Sequence, residues 1–240
     1  VGVTGTLGTS MIARLVGCLV SHTGKHTGVV NGQGLYLDAR QVVAGDCMKW
    51  EPGQRLLINR TLQAAVFASN ARMILSEGLA YDKCSVGVVT DLEGHEELAE
   101  FYIHDAEGVA NVVRTQIDVI LPDGVAVLNA ANPAVAALAE LCDGKVIFYA
   151  LDPDNALLVQ HRAAGERVVF VRASTIVVAE GAQETALLPL ASLKPATATH
   201  PDSVLAAVAA AWALGVAPNF IGAGLRTFDA APPAAKPKKN

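Results

Sequence analysis

The first twenty residues constrain the fold most strongly, because a short apolar run passes through a two-glycine turn into an apolar helix. Residues 1–3 form the run, Gly5 and Gly8 lie in the turn, and the helix is predicted over residues 10–22. Glycines let the backbone turn tightly enough for several amide N–H groups to face one anion, and a helix N-terminus adds partial positive charge. The stretch therefore predicts a strand, a phosphate-binding turn and a helix.

The same turn lacks the main charge of a working P-loop. Such a loop carries a lysine after its last glycine and then Ser or Thr, whose hydroxyl binds Mg²⁺. Here Thr9 stands at the lysine position, while Ser10 retains the hydroxyl. Two interpretations stay open: Gly5, Thr6 and Gly8 bind phosphate weakly, or they form only a turn.

Apolar strand-like runs alternate with helical segments along most of the chain. Unbroken apolar runs are typical of parallel strands that are covered on both faces, and they occur at residues 64–67, 85–90, 125–129 and 145–150. We therefore predict an α/β fold with a doubly wound, mostly parallel sheet. Ligands bind beyond the carboxyl ends of such strands. The predicted site consists of the turns after Val3, Phe67, Val89 and Leu128.

The later part of the chain has a different pattern. Two β-rich runs, residues 167–172 and 175–179, are separated by two residues and predict a small antiparallel hairpin. Residues 230–240 are rich in Pro, Ala and Lys, which predicts disorder. We expect one domain over residues 1–229, followed by that tail.

Composition narrows the possible functions. The chain is 52% hydrophobic and 17% charged, which favours a packed core. No apolar run reaches the roughly 18 residues of a membrane span, and the net charge of −5 argues against nucleic acid as a partner. Four cysteines without a CxxC pair favour reduced thiols and a cytoplasmic location. The chain begins with Val, so we expect it to be a piece of a longer protein.

Several segments resemble motifs of a known family, the Mur ligases. Residues 3–8 resemble their P-loop, usually Thr-Gly-Thr-Asn-Gly-Lys-Thr; residues 87–92 resemble a Val-Thr-Asn-Ile stretch; and residues 125–133 resemble Leu-Asn-Ala-Asp-Asp-Pro. More particularly, other segments resemble the Mur-ligase-like half of the cyanophycin synthetase family: residues 114–122, 138–144, 161–165 and 205–212. The resemblance covers residues 1 to about 229, the central ATPase domain of that half.

The resemblance implies a parent ligase that builds an Asp/Arg polymer through acyl phosphates. An ATP-grasp half adds Asp, and the Mur-like half adds Arg by isopeptide bonds. It implies ATP and Mg²⁺ as cofactors, and as partners the ATP-grasp half, the cyanophycin polymer and further copies in a homo-oligomer. The implied cofactor-binding residues are Gly5, Thr6, Gly8, Thr9, Ser10, Asn129 and Asn132, with Ser10 and His95 as metal ligands.

The sequence departs from the family pattern at one predicted pocket. Thr9 replaces the lysine, Ala68 replaces an acidic residue, Ala131 and Asn132 replace two aspartates, and Ser203 replaces an asparagine. Each lost charge or donor costs several kcal/mol in a transition state, about 3 kcal/mol being common. We therefore expect this segment to be catalytically silent and structural.

Alternatives to a silent domain remain open. The segment could be an active ligase in which Arg72 replaces the lysine, or a nucleotide-binding module without turnover. His95, with acidic neighbours at residues 93, 96 and 97, could bind a divalent ion or lie in a solvated loop. Arg72 and His95 are thus the only candidate catalytic residues that the sequence offers.

Overall fold

One sheet forms the centre of the structure. The structure is a computed structural model that describes residues 1–231, and the sheet has eleven strands within these residues. The strands are β1 (Gly2–Thr4), β2 (Thr27–Asn31), β3 (Gly34–Leu37), β4 (Arg40–Ala44), β5 (Ala64–Ser69), β6 (Cys84–Val89), β7 (Ile120–Asn129), β8 (Lys145–Ala150), β9 (Arg167–Arg172), β10 (Thr175–Glu180) and β11 (Gln183–Pro189). Their order is β11-β10-β9-β8-β7-β6-β1-β5-β2-β3-β4. Residues 232–240, most of the predicted tail, lie outside the described part.

The middle of the sheet is parallel and both ends are antiparallel. Strands β2, β5, β1, β6, β7, β8 and β9 pair in parallel. Strands β3 and β4 extend one end as antiparallel strands, and β10 and β11 extend the other. This topology confirms the predicted doubly wound, mostly parallel sheet.

Helices cover both faces of the sheet and leave a hydrophobic core on each side. The helices are α1 (Thr9–Ser21), α2 (Trp50–Leu57), α3 (Ala71–Ser76), α4 (Ala106–Asp118), α5 (Pro133–Ala137), α6 (Ala156–Ala163), α7 (Pro195–Ala198), α8 (Pro201–Ala213) and α9 (Pro218–Thr227). Helices α1, α8 and α9 share one core, and α3, α4, α5 and α6 share the other. Small residues let α8 pack closely, and its buried segment runs without interruption from Val204 to Ala211.

The predicted hairpin is confirmed as β9 and β10. Arg172 pairs with Thr175, and the two residues between them, Ala173 and Ser174, have φ angles of 46° and 58°. Left-handed backbone at both central positions is what a tight two-residue hairpin turn requires. The third strand of this antiparallel patch, β11, was missed in the sequence.

Several predicted boundaries are wrong. The strand predicted over residues 125–129 begins already at Ile120, shortly after α4 ends at Asp118. Residues 122–124 lie within β7 at a bulge: Cys84 faces Ile120, but Val86 faces Val125. Pro122 is tolerated there because the ladder is interrupted.

Other segments also differ from the predictions. His161 and Arg162 belong to α6. The acidic segment around His95, for which a solvated loop was one alternative, contains a 3-10 helix, His95–Phe101. Among residues 1–231, no helix combines the length and apolar character that crossing a bilayer demands.

Candidate functional site

The glycine turn joins the end of β1 to the start of α1, as predicted. Gly5 has a φ of 143° and Gly8 a φ of 67°, and Gly8 precedes the first residue of α1. A Cβ atom at position 5 would overlap the Thr90 hydroxyl. Glycine is therefore required at this position both by the backbone angle and by the close approach of β6.

An internal carboxylate occupies three donors of this turn, the N–H groups of Thr6 and Leu7 and the Thr6 hydroxyl. The Thr6 N–H lies 3.0 Å from Oδ2 of Asp91, and the Leu7 N–H donates to the same oxygen at 2.9 Å. The Thr6 hydroxyl donates to Oδ1 at 2.8 Å. Backbone N–H groups that converge in this way form an anion site. In this chain the anion is Asp91, which is only 3% exposed.

Asp91 is also held from its own strand end. The Thr90 hydroxyl donates to Oδ2 at 2.7 Å, and the Glu93 N–H donates to Oδ1 at 3.2 Å. Burial raises the pKa of Asp91, but the bonds from Thr90, Leu7, Thr6 and Glu93 together outweigh it and lower the pKa below its ordinary value. The carboxylate is therefore ionised at neutral pH.

The two residues after the turn do not supply the missing chemistry. Thr9, at the lysine position, is buried. The Ser10 hydroxyl accepts a hydrogen bond from the Gly32 N–H at 3.1 Å, and the Ser10 carbonyl accepts one from the Asn31 side chain at 3.3 Å. Ser10 thus ties α1 to the turn between β2 and β3.

A cavity of about 480 Å³ lies beside Gly8, beyond the carboxyl ends of the central strands. Polar side chains from four parts of the chain line it: Thr90, Asn129, Tyr149, and Thr199, His200, Asp202 and Ser203 at the start of α8. Its described lining contains no lysine or arginine. Burial raises the pKa of Asp202. This carboxyl group contributes no positive charge to the cavity in either protonation state.

Tyr149 is the functional candidate that the sequence analysis missed. It is 1% exposed, burial raises its pKa, and its hydroxyl lies at the cavity without a hydrogen-bond partner among residues 1–231. Buried polar groups are normally satisfied, so an unpaired hydroxyl facing a cavity is available to a ligand. Its position near the end of β8, a predicted strand, is the signal that could have revealed it.

The two asparagines predicted to bind the cofactor have separate positions. Asn129 lines the cavity, and its Oδ1 accepts a hydrogen bond from the Ala131 N–H at 2.9 Å. Asn132 caps α5, where its Oδ1 accepts from the N–H groups of Ala134 and Val135 at 3.1 and 3.3 Å. Only Asn129 is therefore placed to meet a ligand in the cavity.

Arg72 and His95 are not part of the cavity lining and contact residues near them instead. Arg72 forms an ion pair with Glu100 and donates to the Glu97 carbonyl at 3.2 Å. His95 lies 3.7 Å from the Glu96 carboxylate. Within residues 1–231, no three His, Cys, Asp or Glu side chains are grouped so that they could hold a metal ion.

The architecture is that of the Mur-type ligases. A UDP-N-acetylmuramoyl-L-alanyl-D-glutamate–2,6-diaminopimelate ligase superimposes with a TM-score of 0.68 and 15% identity, over 96% of this chain and 46% of that chain. MurF from Acinetobacter baumannii gives 0.63 and 17%, over 96% and 46%. E. coli FolC gives 0.64 and 14%, over 94% and 56%. At these identities the likeness establishes the fold.

Sequence comparison gives the particular relatives. Cyanophycin synthetase from Crocosphaera subtropica is 34% identical over 235 residues, which cover 96% of this chain and 27% of that protein. The Synechocystis enzyme of the same name is 30% identical over 233 residues, covering 94% and 26%. No family model matches the chain. The chain is therefore homologous to one segment of the cyanophycin synthetases, spanning about a quarter of their length, which confirms the resemblance noted in the sequence.

Proposed function

We propose that this chain is the Mur-ligase-like central domain of a cyanophycin synthetase family protein and that this domain is catalytically silent. The parent would be an ATP-dependent ligase that joins Asp and Arg units through acyl phosphates. The silent domain would hold the ATP-grasp half within a cytoplasmic homo-oligomer or present the polymer. The observation that carries the proposal is the Asp91 carboxylate bound in the turn that would otherwise receive a phosphate.

Electrostatics support a silent site. Phosphoryl transfer depends on cations that neutralise charge on the transferred group. This turn has a carboxylate in place of that charge, and Thr9 in place of a lysine. Two like unit charges 4 Å apart repel by about 4 kcal/mol at an effective dielectric constant near 20. A phosphate that used the Thr6 and Leu7 N–H groups would have to displace Asp91 from them.

Release of phosphate from Mg·ATP by the purified chain tests the proposal. We expect no release above the background without protein, both for the unaltered chain and for a Ser10→Ala variant, in which the hydrogen bond of Ser10 to the Gly32 N–H is lost. Sustained turnover by the unaltered chain would contradict a silent site, and its loss in Ser10→Ala would assign it to the glycine turn. Turnover that Arg72→Ala alone abolishes would instead support an active ligase with a displaced cation.

A second candidate function is nucleotide binding without turnover. The cavity beside Gly8, with the unpaired hydroxyl of Tyr149 and the side chain of Asn129, favours it. Nucleotides are known in proteins of this fold: FolC was solved with ADP, and a Mycobacterium tuberculosis folylpolyglutamate synthase with ADP and AMPPCP. This candidate predicts saturable ADP binding that Tyr149→Phe weakens. A chain that binds no ADP at millimolar concentration excludes it.

A further inference from the structure

A groove lies between α6, β9 and the turn that follows β10, at the opposite end of the parallel section from β2. Its volume is about 510 Å³. Leu158, Val168 and Phe170 form an apolar lining, each with at most 1% of its surface exposed. Arg162 and Arg172 also line the groove. It shares no lining residue with the cavity beside Gly8.

Two guanidinium groups in this groove share one carboxylate. Arg172 Nη1 donates to both oxygens of Glu184, at 2.5 and 2.6 Å, and Arg162 forms an ion pair with the same carboxylate. These bonds, led by the one from Arg172, lower the pKa of Glu184, so its single negative charge is present at neutral pH. One positive charge of the cluster is left without an internal partner.

Contacts with the Phe170 ring and the Gly181 carbonyl hold the guanidinium groups in place. The Phe170 ring centre lies 4.8 Å from the guanidinium carbon of Arg172 and 5.9 Å from that of Arg162. Arg162 Nε also donates to the Gly181 carbonyl at 2.6 Å. Within residues 1–231, the Nη2 atoms of both arginines have no protein acceptor. Arginines preorganised in this way suit a planar carboxylate.

We propose that this groove binds a small organic acid, with its carboxylate on Arg162 and Arg172 and its apolar body along α6. The exposed side chain of Val159 extends the apolar wall toward the groove mouth. Asp154 also lines the groove, and its negative charge disfavours polyanions such as nucleotides. The proposal is independent of whether the glycine turn binds nucleotide.

Methyl NMR of the full 240-residue chain tests the proposal, with phenylacetate, its neutral isostere phenylacetamide and inorganic phosphate as probes. Phenylacetate should shift the methyl signals of Leu158 and Val168 saturably, with a Kd in the millimolar range. Phenylacetamide and phosphate should bind at least about tenfold more weakly. If phenylacetamide binds as tightly as phenylacetate, the negative charge is not recognised. If phosphate binds as tightly, the apolar group is not recognised. Either result overturns the proposal.

Variants of the cluster should act in opposite directions. Arg172→Gln should weaken phenylacetate binding about tenfold, and Glu184→Gln should strengthen it, because the internal competitor for the guanidinium groups is lost. Arg55→Gln is the matched control, since Arg55 pairs with Glu51 on the exposed face of α2. Absence of saturable binding by the folded chain, or weaker binding by Glu184→Gln, overturns the proposal.

Discussion

Removing the carboxylate of Asp91 should destabilise the fold, and the loss should depend on pH. Five donors surround this carboxylate: the N–H groups of Thr6, Leu7 and Glu93, and the hydroxyls of Thr6 and Thr90. A hydrogen bond to a charged group contributes about 1.5–3 kcal/mol, and water replaces part of this at a turn. We expect Asp91→Ala to lower the free energy of unfolding by about 3 kcal/mol.

Asp91→Asn should cost less, about 1–2 kcal/mol, because one side-chain oxygen remains. That oxygen retains the donors on Oδ1, but the new NH₂ group faces the Leu7 N–H, which is itself a donor. The loss of stability in Asp91→Asn measures the contribution of the charge and the second oxygen. The further loss in Asp91→Ala measures the contribution of the remaining acceptor oxygen.

The pH dependence follows from the lowered pKa of Asp91. Its stabilising contribution is complete above the pKa of an unfolded aspartate, about 3.9, and is lost as the pH falls through the lower pKa of the folded state. The unfolding free-energy difference between the unaltered chain and Asp91→Asn should therefore be constant from pH 7 to about pH 5 and shrink below about pH 4.

Urea unfolding at a series of pH values measures these differences, with Asp82→Asn as a control. Asp82 is exposed and accepts no hydrogen bond among the described residues, so its replacement should change stability by less than about 0.5 kcal/mol. A loss below about 1 kcal/mol for Asp91→Ala at pH 7 would refute the internal-anion account.

Three further predictions test the structure. Gly5→Ala should lower the free energy of unfolding by about 2–3 kcal/mol, because the new Cβ atom would overlap a neighbouring side chain. Gly24→Ala, where the Cβ atom has open space, should cost about 1 kcal/mol because of its φ of 84° alone. Urea unfolding measures both losses. Thr27→Val should stabilise the chain by about 1 kcal/mol in the same assay, because the buried Thr27 hydroxyl has no partner among the described residues; Thr197→Val, which removes a hydroxyl with two hydrogen-bond partners, should destabilise it. Tyr149→Phe should change the thermal midpoint by no more than a degree or so, about 0.3 kcal/mol, since its hydroxyl has no protein partner in residues 1–231.

The buried parts of the fold could be predicted from the sequence, and the exposed edges could not. Unbroken apolar runs revealed the parallel strands, and the two-residue spacing revealed the hairpin of β9 and β10. The edge strands β4 and β11 were missed because their residues are mostly exposed and carry little apolar pattern. Edge strands pack on one side only, so hydrophobicity constrains them weakly.

The anion-binding turn was predicted, but its internal anion was not. Asp91 follows β6, which pairs directly with β1 although 85 residues separate Asp91 from Thr6. The sequence placed the turns after Val3 and Val89 in one site, but periodicity does not give strand neighbours or side-chain partners, so it did not show that Asp91 fills the glycine turn. Tyr149 was missed because the predicted site stopped at the turn after Leu128, although β8, the next predicted strand, also ends at the cavity.

Calorimetric titration with Mg·ATP tests the central claim most directly, using the unaltered chain, Thr9→Lys, Asp91→Asn and the variant that combines both changes. The internal carboxylate occupies donors that the phosphates would need, and without a lysine at position 9 the turn lacks the charge that attracts them. The account therefore predicts saturable binding by the combined variant alone. Micromolar binding by the unaltered chain, equivalent to about −8 kcal/mol, would contradict it and show that Asp91 does not close the site.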